Sequence, residues 1–227
     1  YPLRDVYKRQ PVNFVADTLF PYASEHLKDF LLSRGDDPAV KALTVEVERA
    51  WRSDPDPQAK VLWQQRGWGA SSAAPDAVLP YLQWLIRLDR KQTTLKELQG
   101  LVWAEGYGSG ELRAPLFPDV ADRLRQWHGE GKVLAVYSSG SVTAQQLLYN
   151  FSNGGDLRPL FAHWFDTRSG SKHKSTSYLS IASAMNVPPA SILFVSDAVT
   201  ELDAAAEAGM QVAFSDRMGN PQRDPGA

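Results

Sequence analysis

The 227-residue sequence contains no cysteine. That absence excludes disulfide staples, thiolate metal sites and a cysteine nucleophile together. It also lacks any apolar run near the ~18 residues of a membrane span, and no basic start, apolar middle and small-residue cleavage pattern marks a signal peptide. Neither sign of charge is in strong excess: 24 Lys and Arg against 26 Asp and Glu leave a formal net charge of -2. A polyanion-binding surface is therefore not expected, and nucleic acid is not an expected partner. No internal repeat or low-complexity tract is evident. With 43% hydrophobic and 22% charged residues, the chain has the balance of a folded protein and the length to bury a proper core. The expectation is a cytoplasmic protein without a membrane partner.

What is present divides into two patterns. From Phe20 to about Trp103 apolar residues recur at three- and four-residue spacing, as in Ala23–Leu32, Ala39–Arg49, Ala77–Ile86 and Thr94–Trp103, with proline-bearing loops such as Ser53–Pro57 between them. That period predicts helices, and no strand is needed there. From Asp119 onward helical segments alternate with short apolar runs: Val120–Glu130, then Lys132–Tyr137; Thr143–Phe151, then Trp164–Phe165; Tyr178–Met185, then Ile192–Val195; Glu201–Ala208, then Val212–Phe214. Alternation of this kind predicts a doubly wound α/β core with a parallel sheet. A sheet starting only at residue 132 would be thin, so a further strand is expected near the N-terminus, with the helical block inserted after it. The expected division is residues 1–15 and 113–227 for the core and 16–112 for an all-helical cap. Caps of this kind close over a site at the carboxyl edge of the sheet.

Three segments of the core carry candidate chemistry. The run Ile192–Val195 ends in Ser196 and Asp197, followed by Glu201 and Asp203 on the next helix. Open α/β sheets bind ligands at the carboxyl ends of their strands, and a carboxylate there suits a hard divalent cation. Asp197 is thus the candidate ligand of Mg²⁺, with helix capping by Ser196 and Asp197 as the plainer alternative. The run Lys132–Tyr137 ends in Ser138, Ser139, Gly140 and Ser141 ahead of a helix. Hydroxyls and amide donors at such a place favour a phosphate, which makes Ser138 and Ser139 candidate substrate contacts, and capping by Ser141 the alternative. Between these runs, Gly170–Lys174 delivers two lysines just before a helix. Lys172 is the better placed to neutralise a phosphate; a merely solvated lysine is the alternative.

A strand ending in serine, a lysine before a helix, and a strand ending in aspartate with acids behind it resemble, in order and spacing, the later motifs of the haloacid-dehalogenase-type phosphohydrolases. The segments Gly106–Leu112, Phe117–Val120, Tyr137–Leu148, Gly155–Leu157, Phe165–Thr167 and Leu193–Ala205 are similar to those of the acireductone synthases, the enolase-phosphatases of methionine salvage, and Phe14–Ala23 matches the start of that family's cap. The resemblance runs from about Pro11 to the tail. It implies a Mg²⁺-dependent, monomeric enzyme that enolises 2,3-diketo-5-methylthiopentyl 1-phosphate and then removes its phosphate to leave an acireductone. Carried onto this chain, it implies substrate binding by Ser138 and Ser139, a catalytic and phosphate-holding role for Lys172, and catalysis and Mg²⁺ ligation by Asp197. Glu201 would stand behind them.

One departure is large. The family's first motif is an apolar strand ending in Asp-x-Glu, and ungapped alignment from Phe14 sets Arg4 and Val6 at its two acidic positions. Asp5 is one place off, which in a strand turns its side chain to the opposite face. The stretch Tyr1–Gln10 is polar, basic and proline-bearing where a central strand should be apolar. It reads as foreign sequence in place of the family's own start; a degenerate paralogue that binds phosphate without turnover, or a phosphatase of the same superfamily for another small ester, are the alternatives.

Overall fold

The computed structural model describes residues 14–66, 74–88, 90 and 92–217. The chain separates into two compact units: Val15–Leu112, and a second whose described residues are Phe14 and 113–217.

The first unit is helical throughout its described length. A π-helical turn, Val15–Leu19, runs into α1 (Phe20–Arg34), followed by α2 (Pro38–Ser53), α3 (Pro57–Gln65), α4 (Leu79–Arg87, entered through a 3-10 turn at Pro75–Val78) and α5 (Thr93–Ser109). Two starts use the same device: Asp37 and Asp56 accept from Ala39 N and Gln58 N at 2.9 Å, with proline next in the chain. The aspartate satisfies an orphan amide and the proline sits where no amide is needed. Sequence reading takes Ser53–Pro57 as loop alone and misses α3, which this second Asp-Pro begins. The last helix closes on Gly110, whose φ of 85° permits the left-handed turn that lets Leu112 N reach Gly106 O at 2.9 Å.

The unit's core is aromatic. Trp51 is 1% exposed, lies 5.2 Å from the stacked Tyr81 ring and 5.3 Å edge-on from Trp63, and donates through Nε1 to Ala59 O at 2.9 Å. Trp84 and Trp103 are also buried, and Trp63 is half-buried. Polar ties close the far side: the Tyr81 hydroxyl donates to Asp54 at 2.8 Å, and Arg90 bridges Asp54 and Asp56 at 2.9 and 2.6 Å.

The second unit alternates as expected: α6 (Val120–Gly129), β1 (Leu134–Tyr137), α7 (Val142–Asn150), β2 (Phe161–Phe165), α8 (Ser175–Ala184), β3 (Leu193–Ser196), α9 (Val199–Glu207) and β4 (Gln211–Phe214). The described strands pair in parallel, β1 with β2 and β3 with β4, and no ladder among the described residues joins the two pairs. The strand expected at the N-terminus falls on residues outside those described. Each pair has its own packing: Val120, Leu124, Tyr149 and Leu157 lie against Leu134, Val136 and Phe161, whereas Tyr178, Ala182, Ala204, Ala205 and Met210 cluster with Ile192 and Phe194. Arg217, beyond β4, forms a two-pronged bond to Asp119 at 2.7 and 2.9 Å over the Phe117 ring, tying the end of the described chain to the start of α6. No described helix is long and apolar enough to cross a membrane.

Trp51 is almost fully buried and loses two ring contacts and a buried hydrogen bond on truncation. Trp51→Ala is expected to cost about 3–5 kcal/mol of unfolding free energy, measured by urea denaturation; a loss under about 1 kcal/mol would place the cap's stability elsewhere.

Candidate active site

Parallel pairing sets the polar ends of β1 and β2 side by side, and the ion pair between Lys172, after β2, and Glu201, after β3, brings the end of β3 to the same edge. A cleft of about 490 Å³ opens at that edge, lined by Ser139, Thr167, Gly170, Ser171, Lys172, His173 and Glu201.

After β1 the two readings of the serine run separate by residue. Ser141 is the cap of α7, accepting from Ala144 N at 3.2 Å, and Ser139 is exposed in the cleft. Ser138 holds the turn between them: its amide donates to Phe165 O at 3.1 Å and its hydroxyl accepts from Gly140 N at 3.2 Å. Buried Gln145 secures both sides of this turn by donating to Gly140 O and Phe165 O at 2.8 and 2.9 Å. Ser138 is therefore a turn residue, not one of those lining the cleft.

After β2, Asp166 is buried and takes the Arg168 amide at 2.9 Å and its guanidinium at 2.9 to 3.1 Å. Burial alone would push its pKa up; the Arg168 side chain, main-chain amide and charge outweigh this and hold it below the ordinary carboxylate value. This bond shapes the 3-10 turn Thr167–Ser169 from which the lysine loop departs.

Lys172 stands in the cleft with its Nζ 2.9 Å from Glu201 Oε2, both side chains being mostly buried. The same oxygen accepts from the Ser196 hydroxyl at 2.8 Å, and that hydroxyl in turn accepts from Ala198 N at 3.2 Å. Ser196 thus ties Glu201 to the main chain at the start of α9. Asp197 occupies the bend directly after β3, half-buried and outside the residues that line the cleft.

The geometry brings together Ser139, Lys172 and Glu201, of which Glu201 figures in the sequence only as a residue behind the others. It is the lysine's direct partner. Sequence reading misses Ser196 and Tyr137, whose ring centroid lies 5.5 Å from Lys172 Nζ; the signal available for both is their place as the last residues of apolar runs ending at the site. Arg4, Asp5 and Val6 lie outside the described residues. Among the described residues no group of three His, Cys, Asp or Glu converges to hold a metal ion. Mg²⁺, however, keeps several waters and is held by one or two carboxylates plus substrate phosphate, so Asp197 fits as one carboxylate of such a shell and not as part of an all-protein cage.

Comparison with known proteins gives the following. The family model for haloacid dehalogenase-like hydrolases matches residues 12–209. An enolase-phosphatase E1 of Prochlorococcus marinus (strain MIT 9313) is 45% identical over 215 residues, spanning 95% of this chain and 87% of that protein. A second, from Synechococcus sp. (strain RCC307), is 49% identical over 213 residues, spanning 93% and 82%. Among solved structures, the UTR4 protein of Saccharomyces cerevisiae superposes with a TM-score of 0.68 at 29% identity, covering 99% of this chain and 92% of that one.

Because the Asp166 carboxylate is held ionised in the fold, its contribution to stability is present above the unfolded value of roughly 3.9 and lost as pH falls through the lower folded value. Asp166→Asn is expected to flatten the fall in melting temperature below about pH 4 relative to the parent chain; identical acid profiles for the two would show that the Arg168 bond carries no such linkage.

Proposed function

The chain belongs to the haloacid dehalogenase-like hydrolases and, within them, to the enolase-phosphatase E1 family, and from that membership we propose how its own residues serve the reaction. The activity is that of an acireductone synthase of methionine salvage: 2,3-diketo-5-methylthiopentyl 1-phosphate is enolised and dephosphorylated to an acireductone. The single observation that carries the assignment of roles is the mostly buried Lys172–Glu201 pair beside Ser139 in one cleft at the carboxyl edge of the strands.

In this reading the Lys172 ammonium offsets the charge of the substrate phosphate, and the Ser139 hydroxyl donates to one of its oxygens. Ser138, also assigned here to the substrate, contributes by shaping the turn that presents Ser139. Glu201, its Oε2 pinned by the Ser196 hydroxyl, holds the ammonium in place. Asp197 would hold Mg²⁺ as one carboxylate of a shell otherwise made of phosphate and water oxygens. Bound there, the ion would neutralise charge on the phosphoryl group being transferred.

A second reading, phosphate binding without turnover, is favoured by one observation, the presence of Arg4 and Val6 where the family has acids. Mg²⁺-dependent phosphate release from the diketo phosphate is expected to be strongest in the Arg4→Asp, Val6→Glu double variant. Within that variant, Lys172→Met and Asp197→Asn are each expected to lower kcat/KM by about 100-fold or more. Release that is absent from both the chain and the double variant, with phosphate binding retained, would replace the enzymatic reading by the binding one; full activity after Lys172→Met or Asp197→Asn would overturn the role assigned to that residue.

A further inference from the structure

Three successive main-chain carbonyls of the lysine loop are each taken by a side-chain hydroxyl. The Tyr137 hydroxyl donates to Gly170 O at 2.9 Å, Ser177 Oγ to Ser171 O at 2.7 Å, and the Tyr178 hydroxyl to Lys172 O at 2.8 Å. The donors come from two directions, Tyr137 from the end of β1 and the other two from the first turn of α8. A solvated loop would leave such carbonyls to water. Here Ser177 and Tyr178 are 3% and 0% exposed, so their hydroxyls need protein acceptors as much as the carbonyls benefit from donors.

The loop is matched to this arrangement. Gly170 sits at φ 117°, a backbone conformation strained for any residue with a side chain, and a Cβ there would overlap the Ser177 hydroxyl. The rings complete the set. Tyr137 and Tyr178 meet edge to face at 5.7 Å, and Tyr178 meets Phe194 of β3 at 4.9 Å. Tyr137 also offers its ring to the ammonium of Lys172, a contact that favours a cation.

A lysine on a free loop would lose four torsions and its backbone freedom on meeting a phosphate, at the expense of affinity. We propose that Tyr137, Ser177 and Tyr178 are positioning residues for Lys172: by taking the carbonyls of Gly170, Ser171 and Lys172, they determine where the ammonium stands when a phosphate is bound. The proposal rests on the phosphate role given to Lys172 above.

The test is the affinity of the full chain for inorganic phosphate in the presence of Mg²⁺, measured by calorimetry with melting temperature recorded in parallel. Tyr137→Phe and Tyr178→Phe each remove one hydroxyl and keep the ring, and each is expected to weaken phosphate binding by about three- to tenfold. Lys172→Met is expected to weaken it further, and adding either tyrosine substitution to Lys172→Met is expected to change nothing more. A merely structural role would weaken binding by the same factor in both backgrounds, and that result overturns the proposal. So does an unchanged affinity in the single tyrosine variants when Lys172→Met is impaired. If Lys172→Met itself binds phosphate as the parent does, the phosphate role of Lys172 falls, and the positioning role falls with it. Should Tyr178→Phe not fold, Tyr137→Phe, at a half-buried position, decides the matter alone.

Discussion

A lysine ammonium withdrawn from water needs a counter-charge at hydrogen-bond distance, and the pairing of Lys172 with Glu201 is the interaction on which the rest of the site depends. Its two partners are carried by separate elements, the loop before α8 and the first turn of α9. The pair therefore exists only if those elements dock correctly, and the small-residue cluster of Ala182, Ala204 and Ala205 around Tyr178 lets them approach closely. Small side chains between the helices, a tyrosine under the loop and a serine on the carboxylate are one arrangement seen from different distances. Removing the tyrosine hydroxyl would leave the Lys172 carbonyl without its donor, which costs more than the bond itself returns.

The helical unit solves a different problem by similar means. Its core is built from large rings, so the polar tips of those rings must find partners inside the unit: the Trp51 indole on Ala59 O, the Trp103 indole on Leu19 O at 2.7 Å, the Tyr81 hydroxyl on Asp54. Asp54 then carries a buried negative charge, and Arg90 answers it while also reaching Asp56, the cap of α3. Burial pushes the Asp54 pKa up, yet the Asp56 amide, Tyr81 and Arg90 together hold it below the ordinary value. A short acidic loop between prolines thus fixes the aromatic core and the start of the next helix together.

Much of this was legible from the residues, for a physical reason in each case. The period of the apolar positions marks α1, α2, α4 and α5, and the alternation after Asp119 marks each strand to within three residues of its observed bounds, because strands of a parallel sheet read as short continuous apolar runs between helical segments. Helix α3 was not legible by period, since Ala59 is its one buried hydrophobic residue and the face is too sparse to register; only its Asp-Pro start announces it. In the site, Ser139 and Lys172 stood out because hydroxyl and ammonium groups after strands are conspicuous in sequence. Glu201 was seen but placed too far back, because a helix side chain four residues past Asp197 gives no sign of which loop it will meet. Tyr137, Ser177 and Tyr178 were invisible as functional groups, since aromatic and small polar residues at the edge of a core serve packing far more often than chemistry.

The arrangement also explains how the same lysine can be held and still be available. Glu201 takes a single hydrogen bond from Lys172 through Oε2 and shares that oxygen with Ser196, while an ammonium has three donors. A pair that used all three would be inert toward a ligand, and a pair with none would leave the lysine mobile. With the carboxylate on one side and the Tyr137 ring on another, the remaining directions open on the cleft that Ser139 also lines. In the role proposed for Lys172, an arriving phosphate would add acceptors to the unused donors of an ammonium already oriented, and would not have to displace Glu201. In that role the counter-charge that makes the mostly buried lysine tolerable in the fold would be the same group that leaves donors free for an anion.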